Sequence, residues 1–249
     1  MQIWCERICK SDTLESLQAI MIEIAKELSY EIILYNIQIA NSFEESRFIA
    51  LGNFPKAWVE QYQKQNYATI DPVLKHCITN ETPIYWQDAH DENNPLIKDF
   101  FEDATSFYLI DGVSQGLRKS SSEVGMITLA SKDFKPKSDK TINAIQLVQP
   151  YIHEQVIRLS EEYKEFKKTL LTKRELECLH HMVQGETSIQ IAKALFISES
   201  TAVFHIKNII EKLDAKNRTQ AVARAVLIGL VNPLDYHASQ SHTFYWKDI

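Results

Sequence analysis

Residues 199–213 read ESTAVFHIKNIIEKL. Wound as an α-helix, the stretch places Ala202, Ile206, Ile209 and Leu213 at i, i+4, i+7 and i+11, one apolar stripe down one side. The other side carries Ser200, Thr201, Val203, Phe204, Lys207, Asn208 and Glu211. Such a helix spans about 22 Å, and the major groove of DNA is wide enough to admit it. Just upstream, SIQIAKAL (188–195) reads as a shorter helix with Ile189, Ala192 and Leu195 inward, and the short link FISES offers Ser198 as N-cap of the next helix. Two helices across a tight turn, the second polar outside, form the helix-turn-helix pattern. An earlier helix is expected over Lys173–Val183, opened by Thr172 and Glu175 as a capping box and stopped by Gly185. A fourth is expected over Arg218–Ile228, with Ala221, Val222, Ala225 and Ile228 on one side.

Periodicity alone fits a packed bundle with an inert outer face as well as it fits a DNA reader, and charge separates the two. Between Lys164 and Val231, eleven Lys or Arg stand against seven acids, a net +4; the preceding 163 residues carry −9 and the tail −1, which gives the −6 of the whole chain. A basic module on an acidic chain implies a polyanion partner for that module only, and the helix-turn-helix pattern makes double-stranded DNA the candidate.

LTKRELECL (171–179) and GETSIQIAKALFISESTAVFHIKNIIEKLDAKNRTQAV (185–222) resemble the C-terminal DNA-binding domain of LuxR-type transcription regulators. The resemblance runs over about sixty residues without a gap, and Glu175, Leu179 and Gly185 fall where that family keeps its glutamate, leucine and glycine. It implies a DNA-facing set of Ser200, Thr201, Val203, Phe204, Lys207, Lys212 and Arg218. Lys207 is the expected base or phosphate contact, and Ser200, Thr201, Lys212 and Arg218 suit phosphates. Val203 departs from the family, whose members often place a polar or basic base-reader there; valine can meet a thymine methyl but cannot form bidentate bonds to guanine.

At 249 residues one large or two ordinary domains are expected. No run approaches the ~20 apolar residues of a membrane span, and MQIWCERICKSD lacks a basic-then-apolar leader, so a cytoplasmic protein is expected. Cys5, Cys9, Cys77 and Cys178 are scattered without a CxxC and read as reduced thiols. His76-Cys77 and His180-His181 have no second pair at ligand spacing, so neither a metal nor another cofactor is expected.

The N-terminal part mixes helices and strands. Leu14–Leu28 is an amphipathic helix, EIILYNIQIA (31–40) a strand and SRFIALG (46–52) a second, shorter one. Helices follow over Lys56–Gln65, headed by Pro55, over Asp71–Cys77, and over Pro95–Thr105, with Thr82–Trp86 extended between the last two. GVSQGLR (112–118) and VGMITLA (124–130) are strands split by the turn KSSSE. The order predicts an antiparallel sheet flanked by helices. Thr141–Phe166 is one long helix interrupted by Pro150, and its charged end suits a solvated linker. The expected domains are 1–163, a linker over 164–169, the helix-turn-helix module over 170–231 and a tail over 232–249.

Phe54, Trp58, Tyr62, Tyr67, Tyr85 and Trp86 crowd one short region around Asp71. One by one they read as ordinary core, with Asp71 the N-cap beside Pro72. Together they describe an apolar cavity with few polar anchors, the make-up of a small-ligand pocket. An indole N–H only donates and a carboxylate only accepts, which suits a ligand with a carbonyl beside an amide N–H.

GNFPKAWVEQYQKQNYATIDPVLKHC (52–77), PIYW (83–86) and DGVSQGL (111–117) are similar to the autoinducer-binding domain of the same LuxR-type family, so the resemblance extends over about residues 10–231. It implies an α+β fold: an N-terminal α-β-α sandwich around a five-stranded antiparallel sheet, then an all-α four-helix helix-turn-helix domain. It also implies an acyl-homoserine lactone held between the sheet and one helix layer. By position, Trp58 would donate to the lactone carbonyl, Asp71 would accept from the amide N–H, Tyr62 and Trp86 would wall the ligand, Thr128 would stand near the acyl carbonyl and Gly112 beside the pocket. Phe54 departs from the family, where many relatives carry a tyrosine whose hydroxyl bonds the amide carbonyl; its loss is worth roughly 0.5–1.5 kcal/mol.

The expected function is a ligand-controlled, dimeric transcription regulator of quorum sensing, with Ile142, Ile145, Ile152, Val156 and Leu159 as the dimer seam. A phosphorylated receiver in place of the pocket is disfavoured because EIILYNIQIAN supplies no paired acids after its strand. A lactone-hydrolysing enzyme is disfavoured because there is no G-x-S-x-G and no histidine cluster at metal spacing.

Overall fold

In a computed structural model of the chain, residues 2–40, 46–120, 123–161 and 171–231 are described; most of residues 2–161 form one compact unit, and residues 171–231 belong to a second. The proposed linker at 164–169, the tail from 232 and the end of the expected Thr141–Phe166 helix lie outside the described residues.

In the N-terminal unit, α1 (Gln2–Cys9) and α2 (Leu14–Glu27) precede strands β1 (Ile32–Ala40) and β2 (Ser46–Gly52). Then come α3 (Lys56–Lys64), a single 3-10 turn at Tyr67–Thr69, α4 (Pro72–Thr79), β3 (Ile84–Tyr85), α5 (Trp86–Ala89) and α6 (Pro95–Ser106). β4 (Asp111–Ser120), β5 (Glu123–Ser131) and α7 (Asp139–Leu159) complete it. The five strands form one antiparallel sheet in the order β2-β1-β5-β4-β3. Among the described residues no helix is long and apolar enough to cross a membrane.

Because side chains alternate along a strand, each face of the sheet has its own core. Ile33, Tyr35, Ile37 and Ile39 of β1, with Ile127 and Leu129 of β5, pack against α1, α2 and α7. Tyr35 Oη and His153 Nδ1 hydrogen-bond at 2.6 Å, and His153 Nε2 lies 3.1 Å from Glu123 Oε1, which ties α7 to both central strands. Ile32 and Ala130 face the other way, into the layer of α3 to α6. The register Leu34↔Thr128 and Asn36↔Met126 sets two rungs side by side on that second face.

Several expectations change. The apolar side of α7 is not free to be a dimer seam: Ile145, Ile152 and Val156 are buried in this chain's own core, with Ile142 and Leu159 packed against it. Pro150 sits on the exposed side of α7 and does not interrupt it. α1 was not foreseen; Trp4, Cys5 and Ile8 bury its inner side. The extended stretch before Trp86 shrinks to two residues, and Trp86 itself begins a helix.

The C-terminal unit contains α8 (Lys173–Val183), α9 (Ser188–Ala194), α10 (Glu199–Lys212) and α11 (Arg218–Leu227) around one core. Thr172 and Glu175 form the capping box, Ser198 caps α10 by accepting from Thr201 N, and Gly185 takes the left-handed φ of 81° just past α8. Ala202, Ile209 and Leu213 are buried and Ile206 partly so, the stripe expected of α10. In α9 Ala192 is buried and Leu195 packs against the core as expected, but Ile191 takes the inward place expected of Ile189, which is exposed. Thr187 and Gln190 form a second capping box that fixes the start of α9 and hence its facing.

Candidate functional site

Between the sheet and the α3–α6 layer lies a cavity of about 430 Å³, within the usual range for small-molecule sites. Its sheet wall is built from alternate residues: Leu34 and Asn36 of β1, Phe48 and Ala50 of β2, Ser114 of β4, Met126 and Thr128 of β5. Its helical wall includes Phe54, Trp58, Tyr62, Asp71, Trp86 and Phe100. Phe48 and Val59 line the cavity and are also exposed, so its mouth opens between β2 and α3.

Asp71 combines two roles that the sequence left as alternatives. One carboxylate oxygen, Oδ1, caps α4 by accepting from Val73 N at 2.8 Å and Leu74 N at 3.1 Å. The other, Oδ2, accepts from Tyr62 Oη at 2.8 Å at the cavity wall. Burial pushes the Asp71 carboxyl above its ordinary range against the pull of these three donors, and burial with the neighbouring carboxylate pushes the Tyr62 phenol up. Cys77 behind them is pushed up to about 12, mainly by burial, which leaves an inert thiol.

A second polar chain starts at Trp86. Its indole Nε1 donates to Ser114 Oγ at 3.1 Å, and Ser114 Oγ lies 2.9 Å from Thr128 Oγ1. The two hydroxyls carry two protons and use one between themselves, which leaves one to donate into the cavity they line. Ser114 was missed, since a lone serine in a strand has no distinguishing pattern. Gly112 does not line the cavity; a Cβ there would come within 2.7 Å of the Trp86 ring, so glycine lets the indole lie against β4.

Trp58 is held in an aromatic cluster, its ring centroid 5.8 Å from those of Tyr62, Tyr67 and Phe100 and 5.6 Å from that of Phe107. No described residue accepts its indole N–H. Tyr67 stays behind the wall, its hydroxyl donated to Asp103. Tyr85 points to the opposite core and its hydroxyl accepts from Ser138 N at 2.7 Å, as strand alternation from Ile84 requires. The sequence grouped both with the pocket, and neither lines it.

In the C-terminal unit, α10 presents Ser200, Val203, Phe204 and Lys207 outward; Val203 is 49% and Phe204 59% exposed. Ser200 and Thr201 hydroxyls gather on Ser198 Oγ at 2.8 and 2.7 Å. Lys193 and Lys207 are exposed and make no hydrogen bond or ion pair among the described residues. Two other expected contacts are already engaged. Lys212 Nζ lies 2.7 Å from Glu175 Oε2, and Arg218 donates to the Glu186 carbonyl. Burial opposes ionisation of Glu175, but Lys212 and Thr172 outweigh it and hold the carboxyl below its ordinary range.

Residues 13–156 match the family described as autoinducer binding domain, and residues 169–225 match the bacterial regulatory proteins of the luxR family. The chain is 32% identical to the transcriptional activator protein VanR of Vibrio anguillarum over 83% of its own length and 87% of VanR. Its fold is similar to the crystal structure of Escherichia coli SdiA, with TM-score 0.79 and 28% identity, covering 92% of this chain and 96% of that one. SdiA in complex with octanoyl-rac-glycerol matches with the same TM-score and identity, over 92% and 94% of the two chains.

Proposed function

The chain belongs to the LuxR family of bacterial regulatory proteins and is a ligand-responsive, DNA-binding regulator of quorum sensing; from that premise we propose that its effector is an N-acyl-homoserine lactone. The observation that carries this reading is the division of the cavity. Asp71–Tyr62 and Trp86–Ser114–Thr128 supply an acceptor and a donor, and most of the remaining lining is apolar. In the proposed complex the amide N–H donates to Asp71, the Trp58 indole donates to the lactone carbonyl, and the Ser114–Thr128 pair donates to the acyl carbonyl. Tyr62, Trp86 and Phe54 wall the lactone and the start of the chain. Gly112 acts through Trp86.

On the DNA side, α10 enters the major groove with Val203 and Phe204 toward the bases, Lys207 toward base or phosphate, and Ser200 and Thr201 toward phosphates. Lys212 and Arg218 act on the frame of the module rather than on DNA, because Glu175 and the Glu186 carbonyl already hold them. The protein works as a homodimer on half-sites about one helical turn apart, in the cytoplasm, and it is not an enzyme: the one acid lining the cavity, Asp71, is paired with a helix cap and a phenol rather than with a nucleophile.

The test is isothermal titration of the full chain with N-octanoyl-homoserine lactone and with octanoyl glycerol. Asp71→Asn should weaken the lactone by about 1–3 kcal/mol, because one acceptor becomes a mixed donor and acceptor. It should leave the glycerol ester, which has no amide N–H, nearly unchanged. Equal losses for both ligands, or none for the lactone, would remove the amide contact.

A further inference from the structure

The core between α7 and the sheet, on the face away from the cavity, is largely apolar and carries one polar seam. Gln149 and His153 stand one turn apart on α7, each 1% exposed. They meet Gln115 of β4, Tyr35 of β1 and Glu123 of β5, all three buried. The seam is built in rather than left over. A Cβ on Gly125 would collide with the Tyr35 hydroxyl, so β5 gives up a side chain to make room for it.

The seam is also unfinished. Gln149 Nε2 donates to the Gln115 main-chain carbonyl at 3.0 Å, but Oε1 of each glutamine accepts nothing among the described residues. His153 Nδ1 is bonded to Tyr35 Oη, while its Nε2 lies 3.1 Å from Glu123 Oε1 without the alignment of a hydrogen bond. These three atoms are half of the six buried side-chain polar atoms that lack a hydrogen bond among the described residues. Each stranded group weakens this docking of α7. The groups are nonetheless complementary: a glutamine amide both donates and accepts, so the two side chains can pair with each other. The strands beneath them also wall the cavity. Ser114, next to Gln115, lines it, as do Leu34 and Asn36 on either side of Tyr35.

We infer that α7 has a second docking on the sheet, in which the Gln115 and Gln149 amides pair and His153 aligns with Glu123, and that an effector in the cavity shifts the balance between the two dockings. The inference rests on the ligand-responsive reading above, not on the identity of the effector. A packed element with two discrete arrangements is what a ligand needs in order to act at a distance.

The experiment is amide hydrogen exchange of the full chain, read over residues 144–156 of α7 and, as reference, residues 17–25 of α2. In the parent the α7 stretch should exchange roughly tenfold faster than the α2 stretch, although both pack into the same core. Gln115→Leu/Gln149→Leu removes both stranded oxygens and the choice between dockings, so α7 should slow to the rate of α2. The same variant should lose its response. The ratio of DNA affinities with and without N-octanoyl-homoserine lactone, about 5- to 150-fold where sites are coupled, should fall to near one while calorimetry shows the lactone still bound. Glutamines with a purely structural role give the opposite sign: faster exchange in α7 from the lost hydrogen bond, with the response kept. Either of those results, or a parent α7 as slow as α2, overturns the second docking. If the variant fails to fold, the parent comparison decides. A lactone that binds the parent and leaves α7 exchange unaltered overturns the coupling. A lactone that does not bind tells against the effector reading alone, and the exchange comparison still decides between one docking and two.

Discussion

Asp71 shows how one side chain serves fold and function together. Its Oδ1 starts α4 and its Oδ2 faces the cavity through Tyr62, so the cap fixes where the anchor points. Burial raises its pKa, and an amide N–H donated by a ligand would favour the ionised form. Lactone affinity should therefore be full above the raised Asp71 pKa, fall as pH drops through it, and be accompanied by proton release in that window. Titrations in buffers of different ionisation enthalpy check this, and affinity that rises on acidification would contradict it. The missing hydroxyl at Phe54 yields a second expectation, since the Ser114–Thr128 pair keeps one proton for the ligand. Thr128→Val should cost about 0.5–1.5 kcal/mol of binding, and Phe54→Tyr should recover more in that background than in the parent. Strictly additive effects in the double-mutant cycle would mean the two hydroxyl positions serve different ligand atoms. At this scale the sequence was legible where a residue type is chemically singular. Trp58, Tyr62, Asp71 and Trp86 all line the cavity. Ser114 and Asn36 were not legible, because a strand's facing is needed before a serine or asparagine means anything.

Among the elements, α10 carries the sharpest test. Lys212 stands at its C-terminal end and is committed to Glu175, whose carboxylate also closes the Thr172 capping box. Lys212→Ala leaves that nearly buried carboxylate without its cation and should destabilise the C-terminal unit by about 1–3 kcal/mol in urea, with little change in the salt slope of DNA binding. Lys207→Ala should do the reverse: unaltered stability and a slope flatter by roughly one unit. If Lys212→Ala flattens the slope and leaves stability alone, the ion pair is not the role of that lysine. Because the Glu175 carboxyl is held low in the folded unit, the pair's stabilisation is present above the unfolded carboxyl's pKa of about 4.3 and is lost as pH falls through the lower folded value. Helices with strong caps were readable from sequence: the Thr172 box, the Ser198 cap and the Pro72 start all stand in the structure. α9 was misread at one position because Ile189 and Ile191 both stand within a turn of Ala192, and only packing against α8 and α10 chooses Ile191 over Ile189. The apolar side of α7 was read as an interface for the same kind of reason. A helix stripe shows that something covers it, not whether the cover is another copy or the chain's own sheet.

On the scale of the whole molecule, the chain must couple a ligand in one unit to DNA at another, and a coupling free energy is reciprocal between the two sites. That separates residues that bind from residues that couple. Asp71→Asn should shift the lactone concentration needed for half-maximal DNA binding upward by about 5- to 150-fold, the equivalent of its 1–3 kcal/mol. It should leave the DNA affinity at saturating lactone where the parent has it. Val203→Arg should leave the lactone curve in place and change which DNA sequences are preferred, since it adds a guanine-reading fork at an exposed position of α10. Fluorescence anisotropy of labelled promoter DNA, titrated with lactone at fixed salt, reads both quantities from one experiment. Selection from random DNA reads the third. A lowered plateau for Asp71→Asn at saturating lactone would move that residue from holding the ligand to transmitting its presence. An unaltered DNA preference in Val203→Arg would mean that α10 meets the groove through a face other than the one bearing Val203 and Phe204.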